Sequence, residues 1–325
     1  MSRHPRTLRL IAFVCVASLG ACTLDTSRRA DSASAGTATR QAGAAVWDSD
    51  AWSPPAISEL PNDSLGASIR RGLALVTHTR DSLAKFVGSN LNCTSCHLDE
   101  GRRETSAPFN GVYARYPRFI DRTGAVVPIE DRVNYCMTRS LAGTTLPANS
   151  REMQDMVAYL AFLSRGVPVG SQPKVTGMPK MPALTADSGR GRVVYVRECA
   201  RCHGADGSGG VFGNVIAPAL WGAKSFSIGA SMARRERAAS FVRHNMPLDK
   251  PGSLNDQDAF DVAALITSMP RPDLPGKAHD WPNGGAPSDV PYATKGHVAF
   301  SPPKAVLPRK GVAAEALVPP PKPVR

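Results

Sequence analysis

Two short motifs constrain this chain more than anything else in it: Cys93-Thr94-Ser95-Cys96-His97 and Cys199-Ala200-Arg201-Cys202-His203. A Cys-x-x-Cys-His segment fixes a haem through two thioether bonds and offers the adjacent histidine to iron as an axial ligand. A single copy could equally be a redox dithiol or half of a zinc site. Two copies, each followed at once by histidine and both lying behind an export signal, point instead to two haem c groups. A chain of 325 residues has room for two domains of ordinary size, one around each group. Frequent Gly and Pro (28 of each) and few aromatics suit loop-rich domains whose apolar core is largely supplied by porphyrin.

Two of the three remaining cysteines are accounted for by export. Arg3, Arg6 and Arg9 precede the apolar run Leu10 to Leu19, which is too short to span a bilayer. That run ends in Leu19-Gly20-Ala21-Cys22, which resembles a bacterial lipobox. Residues 1–21 therefore read as a signal peptide, and Cys22 as the lipidated first residue of a mature chain on the periplasmic side of the cell envelope. The alternative is a soluble form cleaved at a nearby small residue. Thr23, in place of Asp, favours the outer membrane. Cys15 leaves with the signal and four cysteines hold haem, so of seven only Cys136 is unassigned.

The formal net charge is +12, and +9 once the signal arginines are gone. An exported chain without a basic block interleaved with aromatics is a poor candidate for nucleic acid. Small anions, or an acidic electron-transfer partner, suit the balance better.

Between a flexible tether (22–60) and a Pro-rich tail (301–325) the chain repeats itself. Residues 61–170 form one expected domain and 186–300 the other, joined by a linker at 171–185. In the first, Leu65, Ile69, Leu73 and Val76 recur at helical spacing before the haem motif. A helix is expected around Asp131–Leu141 and another after Ser150, ended by Gly166 and Pro168. In the second, the spacing predicts helices at Ser188–Glu198, Ser231–His244 and from Asn255 to Pro270. The expected fold is mostly α: two tandem class I cytochrome c-like domains, each with one covalently bound haem c.

Each iron also needs a sixth ligand or an open position. At the second haem the candidates are Met232, His244, Met246, Lys250 and Met269. Met246 is favoured, because it precedes Pro247 on the loop before the closing helix, where small c-type cytochromes carry their methionine. The equivalent place in the first half holds Tyr135-Cys136-Met137. Met137 would make an ordinary electron-transfer site, Cys136 a thiolate-ligated one of lower potential, and Cys136 could also be an inert buried cysteine. Arg132, Cys136 and Ser140 stand at i, i+4 and i+8 on one helix face, and Arg122 could join them from the preceding loop. Guanidinium groups there would stabilise a thiolate and attract a dianion. A solvated face is the competing reading, since Arg102, Arg103, Arg115, Arg118 and Arg139 crowd the same stretch.

Three stretches carry a family likeness over about residues 60–295: Asn92 to Leu98, Arg132-Val133-Asn134-Tyr135-Cys136-Met137-Thr138-Arg139-Ser140, and Asn245-Met246-Pro247-Leu248. With Asp280-Trp281-Pro282-Asn283-Gly284-Gly285 and Pro291-Tyr292, they resemble the dihaem thiosulfate dehydrogenases. The resemblance implies oxidation of two thiosulfates to tetrathionate, possible also in reverse, with electrons leaving through the second haem to a cytochrome c-type acceptor. It implies that Cys136 is both the distal ligand of the first haem and the sulfur that meets substrate, and that Arg122, Arg132 and Ser140 form the anion pocket. Axial pairs His97/Cys136 and His203/Met246 follow. Some members hold a lysine beside that methionine and exchange the two on reduction; here Asn245 stands there, so plain His/Met ligation is expected.

Overall fold

The computed structural model describes residues 48–174, 177–213 and 215–299. The signal segment, Cys22, most of the tether and the tail lie outside the described residues.

Each half is built on one crossing of helices. In the first, α1 (Ser64–Thr77) starts at Asp63, whose carboxylate accepts from the Gly66 N–H. It packs on α3 (Arg151–Phe162), which starts at Ser150 in the same way. Between them in the sequence comes α2 (Ile129–Arg139). The second half repeats the order. Here α4 (Ser188–Glu198), capped by Asp187, packs on α6 (Asp256–Ser268), capped by Asn255, with α5 (Arg235–Asn245) between. Both crossings use the same device. A Cβ at Gly72 would lie 2.0 Å from the Asp155 carbonyl oxygen, and one at Gly191 the same 2.0 Å from that of Asp261, so only glycine lets the backbones meet. The arginine before each glycine pairs with the aspartate: Arg71 with Asp155 and Arg190 with Asp261, both at 2.7 Å. The duplication inferred from the haem motifs thus extends to the helix contacts.

Several elements differ from the sequence expectation. Leu65 is 57% exposed, so the apolar stripe of α1 begins one turn later, at Ile69. Helix α3 stops at Phe162, ahead of Gly166, because the 111–113 loop competes for its end: Gly111 N donates to the Leu163 carbonyl and Tyr113 N to Ser164 Oγ. The stretch Ser231–His244 is not one helix. A single 3-10 turn (Ser231–Ala233) is followed by extended Arg234, and α5 starts only then. Asp289 causes the break: it accepts from the Arg234 side chain at 2.7 Å and from Glu236 N at 3.0 Å, capping a helix that has no cap of its own. Two hairpins, β1 (Arg118–Ile120) with β2 (Ala125–Val127) and β3 (Gly210–Phe212) with β4 (Val215–Ala217), were not foreseen. At three residues a strand is too short to show alternation.

The halves do not sit apart. One apolar core runs through both, taking in Ile69, Met153 and Tyr159 from the first and Tyr195, Val262 and Leu265 from the second. The segment after α6 returns over the first half, where Trp281 N donates to the Arg122 carbonyl at 2.8 Å. Asp280 there receives a two-pronged bond from Arg139 (2.5 and 2.8 Å) and one from Tyr292 Oη (2.6 Å). At the other end, part of the segment read as tether is bound down, with Trp52 Nε1 on the Arg165 carbonyl and Arg102 on that of Pro55.

Candidate active site and its two haem cavities

Each Cys-x-x-Cys-His motif opens onto a cavity. The first, about 530 Å³, is bordered by Cys93, Cys96 and His97, with Cys136 in its wall. The second, about 560 Å³, is bordered by Cys199, Cys202 and His203, with Met246 in its wall. Both histidines are oriented alike. His97 Nδ1 meets the Ala107 carbonyl at 2.5 Å and His203 Nδ1 that of Pro218 at 2.9 Å. A carbonyl can only accept, so Nδ1 carries the proton and Nε2 is left free for a metal. Paired thiols, a free imidazole nitrogen and walls of Leu91, Val133, Leu220 and Phe226 are the donor set and lining a haem c requires.

The candidate sixth ligands separate by position. Met246 and Met232 border the second cavity, whereas His244, Lys250 and Met269 do not. His244 is turned to the Ser240 carbonyl at 2.8 Å. In the first half both Cys136 and Met137 border the cavity, but Met137 is 1% exposed and packs in the core around Leu141 and Met153.

Cys136 has the distinctive surroundings. Burial alone would raise its thiol, yet the charge and hydrogen bond of Arg132 and the proximity of His97 bring it down to about 6. Arg132 Nη1 donates to Cys136 Sγ at 2.7 Å, and the same interaction raises the guanidinium of Arg132. Burial instead pushes Cys93, Cys96 and Cys199 up to about 12. Helix spacing brings Arg132 and Cys136 together, one turn apart on α2. Ser140, at the C-cap of that helix, also borders the cavity. Arg122 reaches it from the β1–β2 turn, held by the Gly229 carbonyl at 2.9 Å and lying 4.4 Å from the Trp281 ring centre. Burial lowers Arg122 to about 10, which leaves it charged at neutral pH. All four residues expected in the pocket therefore share one cavity.

Other members were not anticipated. Arg234, Arg237 and Trp281 come from the second half to border the first cavity. Arg234 is fixed by Asp289, both almost buried, while Arg237 has no such partner among the described residues. A sequence signal existed: Arg234, Arg235 and Arg237 crowd the positive N-terminal end of α5, where cations are disfavoured unless an anion is served. Arg139, grouped with the solvated arginines, is instead pinned to Asp280 with its guanidinium 4.1 Å from the Tyr135 ring centre. Leu91, Asn92 and Cys96 border both cavities, so the two haem sites share a wall.

Comparison with known proteins agrees with this arrangement. Residues 84–169 match the family model described as "SoxA/TsdA, cytochrome c domain", and residues 188–270 match the cytochrome c model. The chain is 43% identical to the thiosulfate dehydrogenase of Psychrobacter arcticus over 239 residues, 73% of each protein. It is 40% identical to that of Allochromatium vinosum, covering 67% of this chain and 83% of that one. A shorter likeness, 29% over 119 residues, links it to the L-cysteine S-thiosulfotransferase subunit SoxA of Rhodovulum sulfidophilum, covering 34% of this chain and 37% of that one. Among solved structures, the thiosulfate dehydrogenase TsdBA of Marichromatium purpuratum superposes with a TM-score of 0.67 at 30% identity, over 76% of this chain and 57% of that longer one.

Fold and cavities together define a dihaem c-type cytochrome, two cytochrome c domains in tandem with a haem c in each. The relatives are oxidoreductases that share most of its length. The chain belongs to the thiosulfate dehydrogenase family.

Proposed function

We propose that this protein oxidises two thiosulfate ions to tetrathionate at Cys136 and delivers the electrons through its second half to a cytochrome c-type acceptor. The observation that carries the reading is the 2.7 Å contact of Arg132 Nη1 with Cys136 Sγ, a thiol held as thiolate inside a cavity ringed by cations. His97 and Cys136 would hold the iron of the first haem, His203 and Met246 that of the second. The haems supply two one-electron acceptors, matching the two electrons released when two thiosulfates join.

The protein's own residues do the remaining work. Arg122 and Arg132, with Ser140, hold the sulfonate end of thiosulfate and leave its outer sulfur facing Cys136. The outer sulfur bonds to Cys136 Sγ as two electrons depart, giving a cysteinyl S-thiosulfonate: thiolate plus thiosulfate becomes the adduct plus two electrons. A second thiosulfate attacks the sulfur next to Sγ, tetrathionate leaves and the Cys136 thiolate is restored, as in thiol–disulfide exchange. By keeping the leaving thiolate charged, Arg132 favours this step. The name of the SoxA relative, a cysteine S-thiosulfotransferase, supports an adduct of that kind.

The direct test is thiosulfate oxidation by the purified protein with cytochrome c or ferricyanide, with tetrathionate quantified. Cys136→Gly is expected to lose about a thousandfold or more, the scale of removing a nucleophile, while the second haem's spectrum stays unchanged. Tetrathionate formation near the parent rate by this variant would falsify the role of Cys136. We also propose export, cleavage before Cys22 and lipidation of that residue on the periplasmic side of the envelope. Intact mass after detergent extraction should show two thioether-linked haems plus an acylated N-terminus; a mass without acyl groups removes the anchor.

A further inference from the structure

Asn245 is 0% exposed, an unusual place for a polar side chain, and it sits beside Met246. Its bonds explain the burial. Nδ2 donates to the carbonyls of Phe241 and Thr105, both at 3.1 Å, and Oδ1 accepts from Thr105 Oγ1 at 2.8 Å. Two of those partners are carbonyls that only accept, so the amide can face only one way. Phe241 lies one turn back on the same helix. Thr105 belongs to the other half of the chain, and its reciprocal pair with Asn245 is a bridge between the halves.

The loop that Asn245 grips has its own task. Two residues after Thr105, the Ala107 carbonyl holds His97 Nδ1 at 2.5 Å. Between them, fully buried Ser106 donates to the Arg103 carbonyl and accepts from Leu98 N, both at 3.1 Å, which ties the loop to the residue after His97. One short hydrogen-bonded route therefore runs from the imidazole of the first haem site to Met246 in the wall of the second cavity. Ala107 lines the first cavity, whereas Asn245, Thr105 and Ser106 border neither.

We propose that Asn245 is a positioning residue: clamped to Thr105, it fixes Met246 at the second haem against the same loop that orients His97 at the first. This rests on Met246 being the axial ligand, as proposed above. Met246 is the C-cap of α5, its N–H still on the Val242 carbonyl at 3.0 Å, and the clamp ties the last residue of that helix to the other half of the chain. Residues that set a ligand's orientation without touching the metal are a general feature of metal sites.

Thr105→Val is the informative variant, because it alters the half of the chain opposite Met246. It removes one hydroxyl and leaves Asn245 Oδ1 unpaired. The readout is the methionine–iron charge-transfer band of the oxidised holoprotein, followed as pH is raised until methionine is displaced. Thr105→Val is expected to lose the band at lower pH, with the ratio of methionine-ligated to displaced second haem down about tenfold, the worth of one hydrogen bond. Thr105→Ser, which keeps the hydroxyl, is expected to restore the parent curve, and equal haem content in all three proteins shows that folding is intact. If the parent shows the band and Thr105→Val titrates identically, the clamp is overturned while the Met246 assignment stands. A Met246→Gly protein that keeps the parent's band overturns the assignment, and the clamp with it.

Discussion

With Nη1 2.7 Å from Cys136 Sγ, Arg132 stands where its removal changes two things at once. The thiol loses the charge that offsets its burial, and the anion loses a donor. Parent activity is expected to fall toward acid pH as protonation competes for the Cys136 sulfur, a competition that Arg132 holds back by lowering the thiol. In Arg132→Ala that limb should move to higher pH, because one lowering cause, the Arg132 charge and hydrogen bond, is gone while the raising one, burial, remains. At the pH optimum the loss in kcat/KM should be about ten- to a hundredfold, the range of a charge-assisted hydrogen bond. Arg122→Ala should weaken thiosulfate binding similarly but leave the pH limb in place, since Arg122 bonds to the Gly229 carbonyl and not to the sulfur. A pH–rate profile of the two variants separates the roles; identical profiles would remove the assignment of Arg132 to the thiolate.

At the scale of elements, the two Arg-Gly/Asp crossings make a matched experiment. Gly72→Ala places a methyl 2.0 Å from the Asp155 carbonyl, and Gly191→Ala one equally close to that of Asp261. Each should cost about 3 kcal/mol or more, since two helix backbones have to separate. Chemical denaturation of the holoproteins gives the number, and losses under about 1 kcal/mol would mean the crossings are looser than their geometry. These crossings also show what the sequence makes legible. Apolar spacing and capping residues mark α1, α3, α4 and α6 closely, because local physics decides them: Asp63, Ser150, Asp187 and Asn255 all cap as such residues do. The start of α5 is not legible, since the group that caps it, Asp289, lies 53 residues beyond Glu236. The hairpins were illegible for want of length. In the site, Cys136 with Arg132 and Ser140 are legible from helix periodicity; the arginines at the start of α5 signal an anion but not which one, because only the tertiary fold brings Arg234, Arg237 and Trp281 to the first cavity.

The whole molecule is held by the segment that returns from α6. Asp280 accepts from Arg139 and Tyr292, and the side chains of Asp280 and Arg139 are 6% and 12% exposed. Asp280→Ala would leave Arg139 buried without its partner, at a cost of about 3–5 kcal/mol. It would also free Trp281, the ring against Arg122. The expected outcome is a lower melting temperature together with a raised KM for thiosulfate, the second haem's potential being unchanged. A variant with normal KM and lowered stability would confine the segment to a structural role.

The wall shared by the two cavities reaches further. Leu91, Asn92 and Cys96 belong to the first half yet border the second cavity, and Arg234, Arg237 and Trp281 make the reverse loan. A duplicated chain whose copies merely touch could undergo fission into two genes, each product complete. Here, a cut in the linker would yield two fragments, each carrying its own attachment cysteines and histidine but missing part of its cavity wall. Neither fragment would seclude its haem from water alone, and mixing them should restore what each lacks.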